Sequence, residues 1–119
     1  MFFIMNVEEL RDFCLSLPQV QENSPWTEPQ YRNLITFTIG GKWFCLFDPD
    51  KKFIDVKSTP DEIQELLSRY KGFFPAWHMN KEHWIGITLE SDVPDSLIKE
   101  LLKDAYNLVK SHLPKNIQF

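Results

Sequence analysis

A chain of 119 residues is long enough for one domain built around one modest core. Its 43% apolar and 25% charged residues are typical of a globular protein rather than a disordered or fibrous one. The net charge of −4 and the lack of a base-rich region exclude binding to nucleic acid by bulk charge alone, since phosphate neutralisation supplies most of that affinity.

Three features of the sequence predict a cytoplasmic location without a membrane span. No apolar run approaches the roughly 20 residues that a membrane helix needs. The apolar start at residues 1–5 is short and has no basic region before it, so it is a poor signal peptide. Cys14 and Cys45 lie among apolar neighbours, which favours buried free thiols in a reducing compartment over a disulfide.

Three segments show the periodicity of amphipathic helices. They run from Asn6 to Pro18, from Thr59 to Gly72 and from Ser91 to Pro114. Asn6 is placed to cap the first helix, and Thr59 followed by Pro60 is a typical start for the second. Each segment repeats apolar residues at i, i+3, i+4 and i+7, so each is expected to bury one stripe.

The clearest strand signal is a hairpin with strands over 33–39 and 42–47, joined by two glycines. Two adjacent glycines supply the positive φ angles that a two-residue turn requires. Simple alternation after the turn places Trp43 and Cys45 on one face of the sheet and Phe44 on the other.

Further strands are expected near 20–22, over 53–56 and over 85–89. The order is helix, meander of strands, helix, two strands, helix. The sequence therefore predicts a single domain over 1–119 with an α+β two-layer sandwich, in which about five to six antiparallel strands carry three helices on one face. The chain has no glycine-rich phosphate loop, which argues against nucleotide binding of that kind.

The stretch from Gly72 to Leu89 is the strongest candidate for a site. It holds four aromatic side chains and two of the three histidines around a polar turn, Asn80-Lys81-Glu82. His78 and His83 are five residues apart, which does not fit a helical zinc motif. They could share a metal across the turn with Glu82, and the alternative is that their ring nitrogens bond to the backbone.

No set of residues indicates catalysis. Ser58, Ser68 and Ser91 lie in capping or helix-surface patterns, and neither cysteine is expected to be exposed. We therefore expect no enzyme activity, no catalytic residues and no cofactor.

Nucleic-acid binding has a more specific physical case. Lys51 and Lys52 on one turn and Lys81 on another could contact phosphates, as two wings would. Trp77, Trp84 and Phe74 offer faces for stacking. The alternative is that these rings belong to the core and the lysines are solvated turn residues.

Several short stretches, taken in order, carry a resemblance to a known family. The last is Val93-Pro94-Asp95 before a helix with Tyr106-Asn107-Leu108-Val109, and four come before it. They are Ser16-Leu17-Pro18-Gln19-Val20, Gly40-Gly41-Lys42-Trp43-Phe44, Val56-Lys57-Ser58 and Pro75-Ala76-Trp77-His78-Met79-Asn80-Lys81-Glu82-His83-Trp84. In these the chain resembles the MmcQ/YjbR family of small bacterial proteins over nearly its whole length. The resemblance implies a CyaY/frataxin-like fold and a DNA-binding role through a double-wing arrangement. Carried over residue by residue, it points to Lys42, Lys57, His78, Asn80, Lys81, His83 and Trp84.

Two functions are thus predicted. The first is a non-enzymatic DNA-binding or regulatory module that uses Lys42, Lys51, Lys52, Lys57, His78, Asn80, Lys81, His83 and Trp84. The alternative is a module that binds a small ligand or a protein in a pocket lined by Trp77, His78, His83 and Trp84, with no DNA binding. A frataxin-like fold also suggests iron handling by Glu8, Glu9 and Asp12, although a shared fold does not carry function.

Overall fold

A computed structural model describes residues 6–76 and 79–117. Within these ranges the elements are α1 (Val7–Ser16), β1 (Gln21–Asn23), β2 (Ile35–Ile39), β3 (Lys42–Asp48), β4 (Phe53–Lys57), α2 (Pro60–Arg69), β5 (Phe73–Pro75), β6 (Trp84–Thr88) and α3 (Asp95–Ser111). The predicted α+β class and the order of the elements are confirmed. In the part of the chain so described, no helix is both long and apolar enough to cross a bilayer.

The six strands form one antiparallel sheet in the order β1-β2-β3-β4-β6-β5. Helix α3 packs on β2, β3 and β4, and α2 packs on β5. Leu10 and Cys14 of α1 belong to the same apolar core as these elements. All three helices therefore cover one face of the sheet, as predicted, and no helix of the described residues lies on the other face.

Helices α1 and α2 begin at the capping residues that the sequence predicted, whereas α3 follows Pro94 without a side-chain cap. The side-chain oxygen of Asn6 accepts a hydrogen bond of 2.9 Å from the backbone N–H of Glu9. The hydroxyl of Thr59 accepts one of 3.4 Å from the N–H of Glu62. Each bond satisfies a donor that the first turn of a helix leaves without a partner. Cys14 and Cys45 are buried free thiols, which confirms the prediction for both.

A β-bulge in the first hairpin changes which side chains face the helices. Phe37 lies opposite Cys45 and Thr38 lies opposite Trp43, so Phe44 is an extra residue on β3. The prediction that Trp43 shares a face with Cys45, opposite Phe44, is wrong, because simple alternation does not hold across a bulge. The Phe44 ring instead packs on Tyr106 of α3, at a centroid distance of 5.8 Å.

The two ends of the strands differ, and this difference positions the site. One end carries the Gly40-Gly41 turn, whose glycines have φ angles of +57° and +77° as expected for this kind of turn. Lys57 at the end of β4 and Trp84 at the start of β6 pair with each other at that same end. We call this end of the sheet, which carries the Gly40-Gly41 turn, the glycine end. The turn between β3 and β4, residues 49–52, lies at the opposite end.

Candidate nucleic-acid interface

The glycine end holds a cavity of about 310 Å³. It is lined by Lys42, Trp43, Lys57, Trp84, Val109 and His112. Lys42, Lys57 and Trp84 were predicted as site residues, and the structure brings these three together. Trp43 and His112 were missed. Trp43 lies within the Gly-Gly-Lys-Trp-Phe stretch, but simple alternation placed it on the same face as Cys45. His112 is distant in sequence from Lys42, Lys57 and Trp84.

Trp84 and Trp43 contribute to this cavity in different ways. The Lys57 ammonium lies over the Trp84 ring, 5.2 Å from its centroid, and only 6% of Trp84 is exposed. Trp84 therefore orients Lys57 through a cation–π contact and offers little free surface of its own. Trp43 is 36% exposed, so its ring is the one available for stacking.

The end of α3 supplies the remaining basic group. His112 follows the last turn of the helix, and its backbone N–H donates to the carbonyl of Val109 at 3.1 Å. Helix α3 thus brings His112 to the same cavity as two lysines from the sheet.

The lysines of the other predicted wing lie elsewhere. Lys51 and Lys52 are in the turn at the opposite end of the strands. The Lys52 ammonium is 3.2 Å from a carboxylate oxygen of Glu90. The structure therefore does not bring Lys51 and Lys52 together with Lys42 and Lys57 on one surface.

The turn before β6 is organised by Asn80. Its side-chain oxygen accepts a hydrogen bond of 2.8 Å from the N–H of Glu82, and its carbonyl accepts one of 3.2 Å from the N–H of His83. The carbonyl of His83 accepts a hydrogen bond of 2.8 Å from the N–H of Ser58, which ties the turn to β4. Asn80 thus supports the turn, while Lys81 and His83 are exposed beside it.

His78, which belongs to both predicted sites, and Trp77, which belongs to the predicted ligand pocket, lie outside the described residues. The hypothesis that His78 and His83 share a metal includes His78 and therefore also lies outside the described residues. Over 6–76 and 79–117, no group of three or more His, Cys, Asp or Glu side chains could hold a metal ion.

Many of the acidic side chains lie on the helix layer. A groove between α2 and α3 is lined in part by Asp61, Glu62, Glu65, Glu100 and Asp104. Partial burial raises the pKa of Glu62, and the nearby Asp104 carboxylate raises it further. The cavity at the glycine end, which contains Lys42, Lys57 and His112, is called the basic cavity below. A net charge of −4 for the chain is compatible with it, because the acidic side chains of this groove lie elsewhere in the fold.

Asp55 is a second unusual feature, on the helix-free face of the sheet. It lies opposite Leu46 of β3 and Gly86 of β6 and is completely buried. Among the residues that the structure describes, neither carboxylate oxygen has a hydrogen-bond partner. Burial raises the pKa of Asp55 to about 7, although the positive charge of Lys81 acts to lower it. The sequence signal was an acid in the middle of an apolar strand.

A cavity of about 310 Å³ lies on this same face. It is lined by Trp26, Tyr31, Leu34, Trp43, Leu46 and Met79. This set differs from the ligand pocket predicted from the sequence: Trp84 lines the basic cavity, His83 lines neither, and Trp77 and His78 are not described. We call it the aromatic cavity.

Comparisons with known proteins show that this chain is similar to proteins of several bacteria. It is 33% identical over 113 residues to the uncharacterized protein YbdF of Escherichia coli O157:H7, covering 93% of this chain and 89% of that protein. It is also 33% identical over 98 residues to the uncharacterized protein YyaQ of Bacillus subtilis, covering 72% and 82% of the two chains.

Solved structures and a family model agree with this placement. The crystal structure of Deinococcus radiodurans DR2400 matches with a TM-score of 0.85 and 28% identity, over 96% of this chain and 86% of that one. A crystal structure of a Pseudomonas syringae protein matches with a TM-score of 0.75 and 28% identity, over 87% and 98%. The YjbR family model matches residues 15–108. On these findings, and as the motifs predicted, the chain belongs to the YjbR family.

Proposed function

We propose that this protein is a binding module, rather than an enzyme, and that it binds single-stranded DNA at the glycine end. One observation carries the proposal. Lys42, Lys57 and His112 surround a cavity that also contains the exposed ring of Trp43. Lysine ammonium groups beside an exposed aromatic ring are the usual components of sites for single-stranded nucleic acid.

Each component has a distinct physical role. The ammonium groups of Lys42 and Lys57 neutralise phosphates, which gives a salt-sensitive contribution to affinity. Because Lys57 is already held over the Trp84 ring, it loses less conformational freedom when it meets a phosphate. The Trp43 ring accepts the face of one base, and base–aromatic stacking contributes about 1–3 kcal/mol per base.

The shape of the site favours an unpaired strand over a duplex. A base can stack on Trp43 only when its own face is free, which is not the case inside a double helix. The cavity of about 310 Å³ is at the small end of ligand pockets. We therefore expect a short contact with a few nucleotides and weak dependence on base sequence.

Fluorescence anisotropy of a labelled oligo-dT strand, titrated at low and at physiological salt, tests the proposal. The double variant Lys42→Gln, Lys57→Gln is expected to bind more weakly and to lose about 1.4 from the slope of log K against log salt, since two phosphate contacts are removed. The matched control is Lys51→Gln, Lys52→Gln, which removes the same charge at the opposite end of the sheet.

The control variant is expected to retain wild-type binding, and a duplex of the same length is expected to bind more weakly than the single strand. Thermal unfolding of both variants checks that they fold. Equal loss of affinity in the two variants would mean that charge alone is sensed, and the proposed site would then be wrong.

A further inference from the structure

The aromatic cavity has the form of a partial cage. Trp26 and Trp43 pack edge to face, with ring centroids 5.5 Å apart and planes 66° apart. Tyr31 provides a third ring, and Leu34, Leu46 and Met79 complete the lining. The faces of aromatic rings are electron-rich, so a volume lined by three aromatic side chains can attract a cation.

A buried carboxyl group lies beside this cage. Asp55 is the cross-strand neighbour of Leu46, which lines the cavity, and both side chains lie on the helix-free face. Directly opposed side chains on one face of a sheet have their Cβ atoms about 5 Å apart. Neither oxygen of Asp55 has a hydrogen-bond partner in the described part of the chain. Such an unpaired buried group is costly unless a charge of opposite sign compensates it.

We propose that the aromatic cavity is a binding site for a small organic cation, of the alkylated ammonium class. The rings of Trp26, Tyr31 and Trp43 contact the cation, and Asp55 attracts it through Leu46 without touching it. An alkylated ammonium fits better than a metal ion because the lining offers rings and aliphatic groups, which are poor ligands for metals.

Three neighbouring groups must be considered together with Asp55. Lys81 approaches from the turn before β6, and its charge is felt by Asp55. Lys57 lies two residues along the same strand and has its ammonium over Trp84. The Cys45 thiol interacts with Asp55 from β3, and burial raises its pKa well above the ordinary value, so it stays neutral.

These charges predict that cation binding depends on pH. Because the pKa of Asp55 is about 7, its carboxyl group is largely neutral at pH 6 and largely ionised at pH 8. A cation in the cage favours the ionised form. Affinity is therefore expected to be several-fold higher at pH 8 than at pH 6.

Ligand-detected NMR with choline as the probe tests this proposal. The first comparison needs no variant: 3,3-dimethylbutan-1-ol has the shape of choline without its charge, and it is expected to bind at least about tenfold more weakly. Equal binding of the two molecules would show that the cavity recognises shape alone and would overturn the proposal.

Two variants locate the site. Asp55→Asn is expected to weaken choline binding about tenfold at pH 8 and to remove its pH dependence. Trp26→Leu is expected to abolish binding at both pH values. The matched control is Asp104→Asn, which makes the same change of charge on the exposed helix layer and is expected to leave choline binding unchanged.

Thermal unfolding and the spectrum of the free protein establish that each variant is folded. An Asp55→Asn variant that is folded and binds choline like the wild type at both pH values would overturn the role of Asp55. Absence of choline binding to the wild-type protein at pH 8 would overturn the site itself.

Discussion

Lys57 and Trp84 face each other across β4 and β6, with the lysine ammonium 5.2 Å from the centroid of the tryptophan ring. This contact links the core to the basic cavity, because Trp84 is almost fully buried while Lys57 reaches the surface. A surface lysine is usually free to sample many rotamers. Here the ring holds it in the position where a phosphate contact is proposed.

Replacing Lys57 should therefore affect stability as well as binding. Lys57→Met keeps the aliphatic stem and removes the charge over Trp84, so the free energy of unfolding is expected to fall by about 0.5–1 kcal/mol. Lys57→Arg keeps a cation over the ring and should lose less. Urea denaturation measures both, and a Met variant as stable as the wild type would show that the cation–π contact contributes nothing.

Asp55 predicts an unusual pH dependence of stability. Its pKa of about 7 in the folded protein lies above the ordinary 3.8, so the folded state holds a proton that the unfolded state has released between these values. The contribution of Asp55 to stability is present in full below pH 3.8 and is lost as the pH rises through 7. Asp55→Asn removes this loss.

The difference in free energy of unfolding between Asp55→Asn and the wild type is therefore expected to shift in favour of the variant by about 2–3 kcal/mol as the pH rises from 5 to 8. Urea denaturation at the two pH values measures the change. Asp104→Asn, which removes an exposed carboxyl group on α3, is the control, and its stability difference from the wild type is expected to change much less between the two pH values. If Asp55→Asn behaved like this control, the Asp55 carboxyl would not carry a raised pKa.

Gly86 is required by the ring of Phe74. A Cβ atom at Gly86 would overlap the Phe74 ring, which crosses the strand at this point. Gly86→Ala is expected to lower the free energy of unfolding by about 1–3 kcal/mol through overpacking. In a Phe74→Ala background the same change should be neutral or slightly stabilising, because alanine is otherwise preferred to glycine in a strand.

A double-mutant cycle built from urea denaturation curves measures this coupling directly. If Gly86→Ala lowered the free energy of unfolding equally in both backgrounds, the Phe74 ring would not be the group that excludes a Cβ atom at this position. That result would contradict the packing described for the helix-free face.

Tyr106 joins α3 to the end of the first helical segment. Its hydroxyl donates a hydrogen bond of 2.7 Å to the carbonyl of Pro18. Tyr106→Phe keeps the ring that packs on Phe44 and leaves that carbonyl without this donor, so we expect a loss of about 1 kcal/mol. Thermal or urea unfolding measures it, and no change would indicate that water replaces the hydroxyl.

The fold was largely predictable because its signals are local. Capping at Asn6 and Thr59, the glycine pair at the first turn and the apolar stripes of the helices each depend on residues close in sequence. The bulge at Phe44 was not predictable in this way. It depends on how β2 and β3 align, and that alignment is a property of two strands rather than of one pattern.

The site was only partly predictable, for two physical reasons. Counting charges along the chain could not show where the charges lie in the fold. The acids gather in the groove between α2 and α3, whereas Lys42, Lys57 and His112 meet at the glycine end. Trp43 also lies on the face opposite Cys45, contrary to the prediction, and its exposed ring lines both cavities. The predicted grouping of Lys51 with the glycine-end lysines assumed a shared surface that the topology does not provide.

The measurement that tests the central claim most directly is an NMR titration of the isotope-labelled protein with unlabelled oligo-dT at low salt. Backbone amide shifts are expected to change around residues 40–44, 57–58, 83–84 and 109–113, which surround the basic cavity at the glycine end. Raising the salt should reverse them. Shifts confined to residues 49–52 and 88–91 at the opposite end, or no shifts at all, would contradict single-stranded DNA binding at this site.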